Sequence, residues 1–326
     1  MVTEPILLKR QEINDHAWNS LLTKSVYQSP YAYTGYLDCV SPNWQALVWP
    51  STTQYKIILP LPIKKKWGIT VIQQPLFCQF LGFFSEKDLE VEQVLSFLKV
   101  LHRHFRYISL YAFHPLQTNL LATILPSYPF TQVGLFSTHW LSLNQSYDDI
   151  YQNYKPDRRK NLTRAVRWDW HSEVSEDIEP LIALFEQNHA EKLPSGVHPE
   201  AYHILRTLSE YLLSNGIGRL LYVRKNGEVC AGILLIETAT CGIYIFNAAD
   251  NSGRKGNARS YLLNEYFKEK ENLNLIFDFE TPEIENIANF YESFGAKKME
   301  YLTLKKNNLP FPFRQIQELR KWIISE

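Results

Sequence analysis

The sequence predicts an α/β chain built as two similar halves. Short apolar runs of strand character alternate with amphipathic helical runs along its whole length. The order of these runs recurs. At one fixed offset Ile108-Ser109-Leu110 faces Leu275-Ile276-Phe277, Pro115 faces Pro282 and Asn119 faces Asn286. At 326 residues, with 45% apolar and 14% aromatic side chains, the chain has room for two domains of ordinary size and can bury a sizeable core. The expected division is 1–145 and 146–326, with a C-terminal helix over 306–326 in position to pack back on the first domain.

Taken in order, Ile6 to Ile13 reads as an edge strand, and Asn14 or Asp15 caps a helix through Trp18, Leu21 and Leu22. A short helical pattern covers Tyr33 to Val40. Strand-like runs follow at Gln45–Trp49, Lys56–Ile63 and Gln74–Gly82, with Lys64-Lys65-Lys66-Trp67-Gly68 as a solvated hairpin tip. Val91, Val94, Leu95, Leu98 and Leu101 give helical spacing within Ser85–Phe105, and further strands fall at Tyr107–Tyr111 and Phe130–Leu143. In the second half Asp157–Trp168 is a basic helix, and Ile178–Lys192 and Pro199–Asn215 are further helices. Strands follow at Arg219–Arg224, Val229–Glu237 and Gly242–Asn247, with Lys225-Asn226-Gly227-Glu228 as a hairpin turn. A last strand is expected at Lys298–Lys305.

Composition narrows the function classes. A formal net charge of zero argues against a general nucleic-acid binder. No basic stretch followed by an apolar core opens the chain, and no apolar run approaches membrane-spanning length, so a cytoplasmic protein is expected. Cys39, Cys78, Cys230 and Cys241 are scattered without ligand spacing, which reads as reduced thiols and no metal site.

The stretch from Gly253 to Lys297 carries the chemistry. It opens Gly253-Arg254-Lys255-Gly256-Asn257-Ala258, runs into a helix from Ser260, passes an apolar strand Leu275-Ile276-Phe277-Asp278-Phe279-Glu280 and ends in a helix through Asn286 to Ala296. A small-residue loop between strand and helix leaves backbone N–H groups open at the positive end of the helix dipole, which suits a phosphate or pyrophosphate. Arg254, Lys255 and Arg259 add positive charge. The alternative is that Gly-x-Ala only ends a strand and lets the helix pack closely.

This order, with Asn286-x-Ala288 leading to Phe290-Tyr291-x-x-Phe294-Gly295-Ala296, resembles the GNAT superfamily of acyl-CoA N-acyltransferases. Gly256 and Ala258 match the family's Gln/Arg-x-x-Gly-x-Gly/Ala loop, while Gly253 stands at the Gln/Arg position and Ala296 where a Phe usually follows the glycine. The two-fold order, the run Tyr154-Lys155-Pro156-Asp157-Arg158-Arg159-Lys160-Asn161-Leu162 and the strand Phe277-Asp278-Phe279-Glu280 are similar to the Fem family of peptidoglycan aminoacyltransferases and to FemAB-like acetyltransferases. The resemblance implies tandem GNAT-like α/β (α+β) domains, each a mixed, mainly antiparallel sheet flanked by helices. The first half has Phe83-Phe84-Ser85-Glu86-Lys87-Asp88 where a pyrophosphate loop would stand and is expected to bind no cofactor.

The implied activity is transfer of an acetyl or other acyl group from acyl-CoA to an amine of a small molecule or peptide, without a metal. In the family the strand at Gly242–Asn247 splays from the one at Leu275–Phe279 and admits the pantetheine arm. A backbone N–H near Phe246-Asn247-Ala248 then polarises the carbonyl, and Gly253 to Ala258 with Asn286 hold the cofactor. Tyr291 matches the tyrosine that gives a proton to the departing thiolate; otherwise it fills the core. Asp278 and Glu280, alternating with apolar residues on one strand face, are candidate bases or ion-pair partners. Glu237 is a weaker candidate. Arg158, Arg159, Lys160, Arg164 and Arg167 form a solvated face or an anion-recognition helix. His189 and His198 flank a loop at 191–196 that could border the acceptor cleft. Two alternatives remain: a Fem-like transferase using aminoacyl-tRNA and a cell-wall precursor, the one route to a nucleic-acid partner, or a degenerate binding protein.

Overall fold

A computed structural model describes residues 4–66, 68–190 and 196–317 of the chain. Two compact units emerge. One runs to Phe136 and takes up the chain again from Glu300; the other spans Ser137–Met299. The C-terminal helix expected over 306–326 is corrected at its start: residues 306 and 307 end strand Lys297–Asn307, a helical turn begins only at 313, and residues 318–326 lie outside the described residues.

In the first unit, strand Ile6–Lys9 pairs with Gln45–Pro50, that strand with Tyr55–Leu61, and that in turn with Phe84–Ser85, all antiparallel. Helix Asp15–Lys24 begins where the Asn14 side chain accepts the Ala17 N–H at 3.0 Å. A second set pairs Ile63–Lys66 with Ile69–Gln73 as a hairpin turning at Gly68. Ile69–Gln73 then runs parallel to Tyr107–Ala112, which is antiparallel to Lys297–Asn307. The strand expected at Gln74–Gly82 is corrected. Phe77 and Gly82 take positive φ, the Gln74 amide donates to the Cys78 carbonyl at 2.7 Å, and Leu81 makes an isolated bridge to Phe113. Helix Val91–His104 opens with a capping box between Glu90 and Gln93. A carboxylate at that cap fills the place an anion would take.

The second unit holds a sheet in the order Thr131–Ser142, Ile276–Asp278, Cys241–Ala249, Glu228–Glu237, Gly218–Lys225, His171–Ser175. Every pairing is antiparallel except that between Ile276–Asp278 and Cys241–Ala249. The turn between Lys225 and Glu228 places Asn226 and Gly227 at positive φ, as a two-residue hairpin with right-handed twist requires. Alternation along the strands sorts the two faces. Ile233, Leu235 and Tyr244 join Leu262, Leu263 and Tyr266 of helix Ala258–Glu269 in one core. Gly232, one step out of phase, meets Leu181 of helix Glu179–Asn188 on the other face. In each unit the parallel pair is joined through a helix, Val91–His104 in the first and Ala258–Glu269 in the second. This is the repeated order read from the sequence. Edge strand His171–Ser175 was not foreseen; its polar residues give no apolar alternation.

Candidate active site

The parallel pair of the second unit is short. Cys241, Gly242 and Ile243 lie against Ile276, Phe277 and Asp278, and the pairing stops there. From Tyr244 onward the Cys241–Ala249 strand pairs on its other side alone, and that ladder slips: Leu235 faces Tyr244 but Leu234 faces Phe246. Ile245 is the extra residue of a β-bulge. The slip sends Tyr244 to the core face and turns Phe246 to the opposite face, where its ring meets Phe185 at 4.9 Å. Asn247 returns to the first face and accepts from Arg259 at 2.6 Å, while Ala248 is wholly buried opposite Gly232.

The expected open loop is corrected. Residues Asn251–Lys255 form a short helix capped by Asp250, whose carboxylate accepts the Gly253 N–H at 2.6 Å. The N–H groups of Arg254, Gly256 and Asn257 go to the carbonyls of Asp250, Ser252 and Arg254. The two glycines are also closely packed. A Cβ at Gly253 would stand 2.3 Å from the Cys230 carbonyl oxygen, which explains why no Gln or Arg fits there. A Cβ at Gly256 would stand 2.2 Å from Trp170 and 2.6 Å from Trp168, two stacked indoles, and Trp170 Nε1 donates to the Gly256 carbonyl at 3.0 Å. Arg254 is turned back onto the Ala249 carbonyl at 2.8 Å, and Lys255 is exposed. What stays available is the start of helix Ala258–Glu269. Its first intrahelical bond is from the Tyr261 N–H to the Asn257 carbonyl, so the N–H groups of Ala258, Arg259 and Ser260 precede it.

Tyr291 sits on helix Glu285–Glu292, 7% exposed, stacked on Phe279 at 4.7 Å and edge-on to Tyr244 at 6.0 Å. Burial pushes its phenol up to about 12, with the Arg259 charge working against that and the Glu280 charge with it. Arg259, Glu280, Tyr244 and Tyr291 thus share one neighbourhood beside the end of the parallel pairing.

The two carboxylates do not share a strand face as expected. The strand ends at Asp278, and Glu280 adopts φ +48, which breaks the alternation. Asp278, 5% exposed, accepts from Thr138 Oγ1 at 2.5 Å, the Glu280 N–H at 2.8 Å and Trp140 Nε1 at 2.8 Å. Burial raises its carboxyl to about 6, and those three donors restrain the rise.

The basic helix Pro156–Val166 is exposed at Lys160 and Arg164, yet Arg158 is 4% exposed. Its guanidinium lies over the rings of Phe290 and Phe294 at 4.1 and 4.2 Å and donates to Ser260 Oγ, Ser293 Oγ and the Phe290 carbonyl. Burial depresses it to about 10. The sequence signal, one arginine at apolar phase with Leu162 and Ala165, was lost in the surrounding charges. Glu237 is ion-paired to Lys270 at 2.7 Å at the hairpin end of its strand, away from the bulge. His189 bonds the backbone of Ala249 at 3.2 Å, Asn286 is exposed on its helix, and residues 191–195 of the expected cleft loop lie outside the described residues. Among the described residues no grouping of His, Cys, Asp and Glu could hold a metal, and no helix is long and apolar enough to cross a membrane.

A parallel pair opening at a bulge, beside a helix N-terminus, is the feature that decides the relationship, and a family of acetyltransferase (GNAT) domains matches residues 151–279. Over that stretch the chain is similar to an acyltransferase domain. The match covers most of the second unit, from the helix before Arg158 to Phe279. Three solved structures share the fold of the chain. FemX superimposes with a TM-score of 0.62 at 11% identity, over 89% of this chain and 96% of its own. The structure of L-PGS from Bacillus licheniformis gives 0.56 at 10% identity over 98% of both chains. A tandem GNAT protein from the clavulanic acid biosynthesis pathway gives 0.54 at 8% identity, over 94% of this chain and 99% of its own. No curated protein matches the sequence.

Proposed function

We propose that the second unit of the chain moves an acyl group from acyl-CoA to an amine of a small molecule or peptide. The observation that carries this is the end of parallel pairing at Ile243 and Asp278, with the bulge at Ile245 on one side and Phe279, Glu280 and Tyr291 on the other. The residues fit acyl-CoA in part. Ala258, Arg259 and Ser260 offer N–H groups and one guanidinium to a pyrophosphate, while the N–H groups at 253, 254, 256 and 257 are already used.

In this reading a backbone N–H at the bulge polarises the thioester carbonyl and steadies its developing oxyanion. The amine nitrogen bonds to the carbonyl carbon as the carbon–sulfur bond breaks. Glu280 takes the proton the amine gives up, directly or through water. Tyr291 donates a hydrogen bond to the leaving thiolate. With the phenol near 12, full proton transfer to a thiolate is uphill by about 3 pKa units, or roughly 4 kcal/mol, so hydrogen-bond donation is the role burial favours.

One observation favours a second reading, transfer from an aminoacyl ester as in Fem-like enzymes. The internally bonded turn at Gly253–Asn257 gives a pyrophosphate fewer donors than the GNAT loop does. Thiol release separates the two. With acetyl-CoA and a panel of primary amines, the first reading expects amine-dependent release of free thiol. Release that no amine accelerates, from acetyl-CoA or longer acyl-CoA, would discard it.

A further inference from the structure

Four consecutive residues of strand Thr131–Ser142 hold the segment that carries the proposed chemistry. The Ser137 N–H and hydroxyl bond the Glu283 carboxylate at 2.6 and 3.2 Å. Thr138 gives its hydroxyl proton to Asp278 and receives the Thr281 N–H at 3.3 Å. The His139 carbonyl accepts the Phe279 N–H at 3.0 Å, and its ring lies between Thr281, at 3.0 Å, and Glu292, at 3.4 Å. Trp140, directly across the ladder from Asp278, gives its indole proton to the second carboxylate oxygen. No other stretch of the unit binds the 278–292 segment at so many successive positions among the described residues.

The conformation held there is one an L-residue rarely adopts. Glu280 at φ +48 lies in the left-handed region, where a Cβ crowds the following carbonyl. Its N–H is bonded two residues back to Asp278, the bond that fixes such a turn. An extended Glu280 would alternate onto the face of Asp278, where Trp140 and Thr138 stand. The left-handed turn instead leaves the Glu280 charge acting on Tyr291, which packs against Phe279 on the opposite face.

We propose that Asp278 is a positioning residue rather than the base: clamped by Thr138 and Trp140, its carboxylate holds the Glu280 backbone in the left-handed turn that delivers the Glu280 side chain to the acyl-transfer site. The proposal rests on the acyl-transfer reading for what Glu280 does, though not for how it is held. Ionised Asp278 accepts from all three donors at full strength and protonation weakens that clamp, so the turn is linked to pH. The other titratable groups around it are Cys241 on the parallel strand, whose thiol is pushed up by burial, and His139, which lies against Glu292 and feels the charges of Lys298 and Glu283. Glu280 follows Asp278 on its own segment.

The test uses the whole protein labelled with 15N at glutamate and at tryptophan indole positions. The Glu280 amide is identified by its loss in Glu280→Gln, and the Trp140 indole by its loss in Trp140→Phe. Both resonances are expected to move together with pH, with a midpoint near 6. They should cease to move in Asp278→Asn and still move in His139→Gln. Thr138→Val removes a donor to the ionised form and should raise the midpoint by about half to one pH unit. A Glu280 amide that ignores pH, a titration that survives Asp278→Asn, or one that vanishes with His139→Gln would overturn the proposal. Thiol release with acetyl-CoA adds a functional readout. Asp278→Asn should lower kcat about tenfold with KM for acetyl-CoA unchanged, and add nothing further in a Glu280→Gln background. Independent, multiplying losses would overturn the coupling. The resonance titration stands without turnover, so failure of the acyl-CoA reading and failure of this one are told apart.

Discussion

Tyr291→Phe lowers turnover about 100- to 1,000-fold while acyl-CoA binds as it does to the wild type. The magnitude is that of removing one donor aimed at charge that develops in the transition state. The phenyl ring keeps the stack on Phe279 and the edge contact with Tyr244, so folding is little affected. A hydroxyl buried beside Arg259 and Glu280 stays protonated across the physiological range, and its contribution should not vary with pH there. The check is steady-state thiol release and acyl-CoA affinity in the same preparation. Turnover within a factor of two of wild type would remove Tyr291 from the chemistry and leave it as packing.

The largest expected loss of stability comes from Gly256→Ala. One methyl group would lie 2.2 Å from Trp170 and 2.6 Å from Trp168. Neither indole can yield cheaply. Trp170 is buried and bonded to the Gly256 carbonyl, and Trp168 is stacked against it beneath the Lys225 ammonium at 4.5 Å. Overpacking of this kind costs about 3 kcal/mol, which corresponds to roughly 6–12 °C in unfolding temperature for a unit of this size. Lys255→Ala, next door but exposed, should stay within about 0.5 kcal/mol. Equal unfolding temperatures for Gly256→Ala and wild type would contradict the packing described for this corner. The same crowding makes any large residue at 256 a poor probe of cofactor binding, because it would break the turn before it blocked an anion.

The sequence made the architecture legible where periodicity is long or the order of elements repeats. Helices such as Val91–His104 and Pro199–Ser214 and the strand–helix–strand order around Ala258–Glu269 follow from apolar spacing. Gln74–Gly82 failed because an apolar run looks like a strand, yet it bonds the backbone of the Tyr107–Ala112 strand at Gln74 and Leu81 and turns between them at Phe77, where the Gln74 amide holds the Cys78 carbonyl. The Gly253–Asn257 loop failed for the opposite reason. Small residues announced close approach, but what approaches is the Cys230 carbonyl and two tryptophans, and the N–H groups close a helical turn. Tyr291 and Glu280 stood out through their frame. Thr138, Trp140 and Arg158 did not, since Thr138 and Trp140 meet Asp278 across well over a hundred residues of chain and a buried arginine has no local signature.

The central claim, that acyl-CoA binds where the parallel pair opens beside helix Ala258–Glu269, is tested most directly by calorimetric titration of acetyl-CoA into the wild type and Arg259→Glu. Arg259 lies half-buried at that helix start with its guanidinium on Asn247, so reversing its charge should repel a pyrophosphate without emptying the core. The account predicts a wild-type Kd on the order of micromolar and at least about tenfold weaker binding in the variant, at an unchanged unfolding temperature. No binding to the wild type, or the same Kd in both proteins, would contradict it.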